Sequence, residues 1–181
     1  MSNWDDYDLI SRCLDGNVNA FGQLVDRYQT PLFNAALRIT RDYEEAKDIT
    51  QTAFVKAFER LDTFRPDHKF FSWVYRILVN EALNAVKERK FLADTEIEGV
   101  SREKTPEEMY GEKEQADLID RALHDLSFEH RLVIVLRHFN DMSYDDMADI
   151  IGIPSKTVKS RLYDARRQLA RIMEQKGVTF R

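Results

Sequence analysis

The chain has 181 residues, of which 43% are hydrophobic, and a formal net charge of −5. This size and hydrophobic content fit one medium-sized or two small globular domains and exclude a wholly disordered chain. A single cysteine, Cys13, excludes an internal disulfide and a multi-cysteine metal site. With an acidic N-terminus and no membrane-length apolar run, the sequence predicts a cytoplasmic protein without direct membrane insertion.

The first half of the chain predicts four helices and no strand. Apolar residues recur at spacings of three and four, with breaks at Gly16, at 40–42 and at 65–67. The helices are expected over 6–15, 18–39, 43–61 and 69–89, with Pro31 as the place for a kink in the second. Only six glycines and four prolines occur in the whole chain, which favours an all-α fold.

The last of these helices carries an unusual number of aromatic residues. Phe70, Phe71, Trp73 and Tyr75 provide more aromatic surface than one helix of a small domain buries easily, so some should be exposed. Exposed rings beside basic groups can stack on unpaired bases. For any single ring, packing in the core is the more common role, and this alternative stays open.

A strongly acidic stretch follows. Residues 91–117 contain nine acidic and three basic side chains, together with Gly99, Pro106 and Gly111, and show no sustained apolar period. This composition predicts a flexible tether between two small helical domains. We expect a first domain over 1–92, a linker over 93–112 and a second domain over 113–181.

The second domain is predicted to end in a helix-turn-helix. After two helices near 118–126 and 132–139, Ser143 is a good N-cap, Gly152 breaks the next helix, and Pro154 leads into a longer one that Ser155 or Thr157 could cap. The longer helix combines a buried stripe with a cationic remainder, as a recognition helix in a major groove does. The alternative is an ordinary helical hairpin with solvated charges. The stripe residues are Val158, Leu162, Ala165, Leu169 and Ile172.

Three stretches, in this order, resemble the extracytoplasmic-function (group IV) sigma factors of bacterial RNA polymerase, members of the sigma-70 family. They are 20–25 leading into 43–54, then 70–80 followed by a basic cluster, and 126–131 with the Thr-Val-Lys-Ser-Arg motif of 157–161. The resemblance covers nearly the whole chain. It implies that the first domain corresponds to sigma region 2 and the second to sigma region 4.

The resemblance also implies partners. Core RNA polymerase would be bound through the clamp helices of its largest subunit and through its beta flap, promoter DNA would be read at two elements, and an anti-sigma factor would control the chain. We expect Ile49, Phe54, Ala57 and Phe58 to face the core. The polymerase-binding strip would then consist of Asp48, Gln51, Thr52, Val55 and Lys56, with Thr52 in place of the family's usual Glu.

Two further sets of residues follow from the resemblance. The −10 element would be contacted by Thr63, Phe64, His68, Trp73, Arg76 and Asn80. The −35 element would be contacted by Lys156, Thr157, Lys159, Ser160, Arg161, Tyr163, Asp164 and Arg167. Val79 and Asp164 replace residues that are often basic or polar in the family, which predicts a lost phosphate contact at the first and an altered −35 preference at the second.

The sequence thus predicts a non-enzymatic initiation factor with no cofactor, metal or small-molecule substrate. It shows no glycine-rich phosphate loop, no metal-ligand cluster and no nucleophile–base pair. A stand-alone helix-turn-helix regulator, with an N-terminal sensing or dimerising domain, is the main alternative. A helical adaptor that binds only protein is the second.

Overall fold

We analysed a computed structural model that describes residues 3–95 and 114–176, with side chains described for 6–89 and 119–176. Both described ranges consist of helices, and neither contains a strand. The all-α fold is therefore confirmed. The predicted division at 93–112 falls mostly outside the described residues and stays a prediction.

The N-terminal part contains the four expected helices. They are α1 (Asn3–Leu14), α2 (Val18–Thr40), α3 (Tyr43–Glu59) and α4 (Phe70–Thr95), with one 3₁₀ turn at Leu61–Thr63. Helix α2 continues through Pro31 and ends where Arg41 adopts a left-handed conformation with φ of 66°. Asp42 then caps α3 by accepting a 2.8 Å hydrogen bond from the Glu45 amide.

The C-terminal part begins with α5 (Glu114–His124) and α6 (Phe128–Ile134), which continues as one π-helical turn over Val135–Phe139. The helix-turn-helix follows as α7 (Tyr144–Ile151) and α8 (Ser155–Gln175). Ser143 and Asp146 form a capping box at α7, and Gly152 ends that helix with φ of 76°. The capping prediction for α8 was wrong: Pro154 is the N-cap, so Ser155 and Thr157 already lie in the first turn.

The two parts pack against each other. Helix α7 lies on α4, and the π turn lies on α2. Arg38 of α2 pairs with Asp120 at 3.2 Å, and its guanidinium carbon lies 4.2 Å from the centre of the Phe139 ring. The Asn140 amide donates a 3.1 Å hydrogen bond to the hydroxyl of Tyr75, which is fully buried. The described residues therefore adopt a closed arrangement with one continuous apolar core.

Candidate functional site

The first candidate surface lies on α3. Asp48, Gln51 and Val55 are exposed as predicted, whereas Thr52 and Lys56 are half-buried. The Lys56 ammonium forms a 2.7 Å ion pair with Glu81 of α4, which directs it away from the others. The predicted strip is thus split along two sides of the helix.

An open apolar groove of about 940 Å³ runs between α2 and α3. Gln51 and Val55 line it, and so does Phe58, whose expected burial was wrong because 42% of its surface is exposed. Phe58 packs edge-on against Phe21 of α2 at 5.1 Å between ring centres, which fixes its position at the rim. The other apolar lining residues are Val18, Phe21, Val25, Phe33 and Phe54. A groove of this shape suits an amphipathic helix of a partner protein.

The second candidate surface lies at the start of α4. Phe70 and Tyr75 are buried, and Phe71 and Trp73 are half-buried, so only part of the aromatic surface is accessible. Phe64 is a correction to the sequence-based assignment. Its ring is 8% exposed and packs against Phe70 at 5.8 Å and Trp73 at 5.4 Å, so it supports the site from the core instead of presenting a face to a base.

The loop before α4 is anchored from a distance. The hydroxyl of Tyr7 in α1 donates to the carbonyl oxygens of Pro66 and His68, which fixes the backbone around the exposed His68. Thr63 is exposed, but its hydroxyl donates to the Arg60 carbonyl at 2.7 Å. The sequence analysis missed Tyr7, since no local pattern connects positions that lie 59 residues apart.

Two polar residues of α4 extend this surface. Arg76 and Asn80 are exposed and lie one turn apart, while the intervening Leu78 and Val79 are fully buried. Burial of Val79 explains why this position needs no polar side chain here. An amide that offers a donor and an acceptor beside a guanidinium can pair with the edge of an unpaired base.

The third candidate surface is α8, and its two faces are as predicted. Val158, Leu162 and Ala165 are buried, at most 1% exposed. The residues assigned to the −35 element are all exposed except Arg161, which is half-buried. They are Lys156, Thr157, Lys159, Ser160, Arg161, Tyr163, Asp164 and Arg167. Their side chains can therefore reach a major groove without disturbing the packing of the helix.

Two residues missed by the sequence analysis extend this surface. The ring of Tyr144, the first residue of α7, lies 5.2 Å from the Arg137 guanidinium carbon and 5.2 Å from the Lys159 ammonium. This aromatic ring with two cations is suited to a phosphate beside the recognition helix. Arg166 does not belong to it, because its guanidinium contacts the imidazole of His138 at 3.1 Å.

Within the described ranges, no group of three or more His, Cys, Asp or Glu side chains is placed to hold a metal ion. No helix in these ranges is long and apolar enough to cross a membrane.

Comparison with known proteins identifies the family. The family model for sigma-70 region 2 matches residues 24–91, and that for sigma-70 region 4 matches residues 116–169. The chain belongs to the sigma-70 family. It is 30% identical to the RNA polymerase sigma-H factor of Pseudomonas aeruginosa, over 93% of this chain and 94% of that protein.

The extracytoplasmic-function group is indicated by a second relative. The ECF RNA polymerase sigma-E factor of Escherichia coli K12 is 31% identical over 87% of this chain and 88% of its own length. Among solved structures, the sigma factor RpoE of Bartonella quintana, in complex with the anti-sigma factor NepR, matches with a TM-score of 0.70 at 28% identity. That match covers 85% of this chain and 96% of the RpoE chain.

The two matched ranges divide the candidate surfaces of this sigma factor. The region 2 match contains α3, most of the groove and the exposed residues of α4, whereas the region 4 match contains Arg137, Tyr144 and the exposed face of α8.

Proposed function

We propose that this chain binds core RNA polymerase through the groove between α2 and α3 and directs transcription initiation from promoters with a −10 and a −35 element. The observation that carries the proposal is the presence of three separate exposed surfaces, each suited to one of these partners, within ranges that match sigma regions 2 and 4. The chain acts in the cytoplasm as a binding subunit, and the polymerase supplies the chemistry.

The groove is the proposed contact for the clamp helices. Its apolar lining and the polar residues Asp48 and Gln51 at α3 resemble a protein interface with a hydrophobic centre and a polar rim. Thr52 and Lys56 lie on the opposite side of α3 and contribute less to this contact. Contact of region 4 with the beta flap is proposed by family resemblance.

Promoter recognition requires the closed arrangement to open. The two elements are centred about 25 base pairs apart, which is roughly 85 Å at 3.4 Å per base pair. A compact chain of this length has a radius of gyration of about 16 Å and cannot span that distance. We therefore propose that the contacts of Arg38 with Asp120 and Phe139 separate when both elements are bound.

In-vitro transcription tests the proposal. Core polymerase with this chain should produce specific run-off transcripts from some members of a promoter library, and core polymerase alone should not. Asn80→Ala should reduce opening of the −10 region on those promoters because the replacement removes a base-pairing amide from an exposed helical position. Permanganate reactivity of the −10 thymines measures this opening.

The matched control is Asn84→Ala, which removes the same amide from another exposed position of α4, one turn further along. It should open promoters as the wild type does. Equal thymine reactivity in Asn80→Ala and the wild type would contradict the assignment of Asn80. Absence of any core-dependent transcript would contradict the proposed function itself.

We further propose that an anti-sigma factor controls the chain by covering the groove. The RpoE structure with which both parts of this chain align was determined with such a factor bound. A small helical protein purified with the chain from uninduced cells should compete with core polymerase, so that each excludes the other in a pull-down. Recovery of a stable ternary complex of all three would refute occlusion.

A further inference from the structure

The interface between the two packed parts contains a buried arginine whose charge is not balanced. Arg131 of α6 is 5% exposed, and its Nε atom has no hydrogen-bond partner. A guanidinium stays charged in proteins, and burying a charge is costly unless it is paired and hydrogen-bonded. Arg131 is therefore a position where the protein lacks an acceptor.

Its neighbours are also cationic and come from the N-terminal part. Arg41, at the end of α2, donates to the carbonyl oxygen of His124, which lies just before α6. Arg89 of α4 pairs with Glu45 at 3.0 Å, next to the start of α3 that Arg41 precedes. Burial, and then the positive charges of Arg41 and Arg89, lower the pKa of Arg131 to about 10, with Glu129 opposing them.

The position of this cluster matters as much as its charge. Arg41 and Arg89 belong to α2 and α4, and Arg131 belongs to α6, so the repulsion among them acts across the interface that keeps the chain closed. An anion placed among them would supply an acceptor for Arg131 and convert this repulsion into attraction.

We propose that Arg41, Arg89 and Arg131 form a binding site for a phosphate group, and that occupancy of this site stabilises the closed arrangement. Phosphate fits because it carries up to two negative charges and has oxygen acceptors on several sides, which a single carboxylate does not provide for three guanidinium groups. The site involves none of the residues assigned to polymerase, the −10 element or the −35 element.

The test uses the full-length chain without DNA or polymerase. Inorganic phosphate at about ten times its Kd should raise the melting temperature by about 3–5 °C relative to sodium chloride of the same ionic strength. Small-angle X-ray scattering should show a smaller radius of gyration with phosphate. ADP provides the second arm, since a stronger response to ADP than to phosphate would assign the group to a nucleotide and an equal or weaker one to the free ion.

Three variants make the result specific. Arg131→Met removes the buried charge, so it should melt no lower than the wild type without phosphate and should lose the phosphate response. Arg41→Gln lies at an exposed position, should fold normally and should also respond less. Arg12→Gln, which alters an exposed arginine of α1 paired only with Asp8 at 3.5 Å, should respond as the wild type does.

Two outcomes would overturn the proposal. One is a wild-type response to phosphate no larger than its response to chloride. The other is an undiminished response in Arg41→Gln. Neither outcome bears on the transcription assay, so failure of this site and failure of the proposed function are distinguishable.

Discussion

Val55→Asp should weaken binding to core RNA polymerase by about 100-fold or more, which corresponds to about 2.8 kcal/mol. Val55 is 50% exposed at the groove between α2 and α3, so the charge would not disturb the core of the free chain. In the complex, the same carboxylate would be desolvated against apolar side chains without a partner, and this loss accounts for the expected magnitude. Titration of labelled core polymerase with purified variants measures the effect.

Gln23→Asp is the matched control for this experiment. Gln23 is exposed on α2 but does not line the groove, so the variant carries the same new charge on the same part of the molecule. Both variants should melt close to the wild type because exposed substitutions usually change stability by less than about 0.5 kcal/mol. If Val55→Asp is folded and binds polymerase as tightly as the wild type, the groove is not the docking surface.

The double variant Lys159→Ala, Tyr163→Ala should reduce transcription from a −35-dependent promoter by roughly 30-fold or more, since each lost base contact costs about 1–3 kcal/mol. Both side chains are exposed on α8, opposite the buried Val158 and Leu162, and alanine is the best helix former. Binding to core polymerase should be unchanged. Transcription from a promoter that depends on the −10 element alone should fall much less.

The control is Arg171→Ala, which removes one positive charge from an exposed position nearer the end of α8. It should leave −35 recognition nearly intact, which separates loss of a specific contact from loss of general charge. Transcription by the double variant at the wild-type level would refute the assignment of this helix face to DNA.

The closed arrangement places these predictions in a physical frame. Arg38 contacts Asp120 and Phe139 together, and Asn140 covers the buried Tyr75, so opening breaks a small set of polar and aromatic contacts. Interfaces of this kind within a chain resemble transient ones between proteins. Polymerase and promoter can therefore separate the two parts by offering larger contacts in exchange.

The sequence by itself determined the features that depend on neighbouring residues. The periodicity of apolar positions is a property of a single helix, so all the helices of the described ranges could be predicted, and the buried stripe of α8 with them. The Ser143–Asp146 capping box and the break at Gly152 are equally local, because each depends on backbone groups within a few residues.

Only the tertiary structure decided which apolar side chains are left outside the core. Phe64 was expected to face DNA and is buried, whereas Phe58 was expected in the core and lies at the rim of the groove. Both depend on rings contributed by other helices, Phe70 and Trp73 for the first and Phe21 for the second. The contacts of Tyr7, Arg38 and Arg131 are likewise made between distant parts of the chain. Helical periodicity specifies the face on which a residue lies, but the partner that covers that face is specified only when the helices pack.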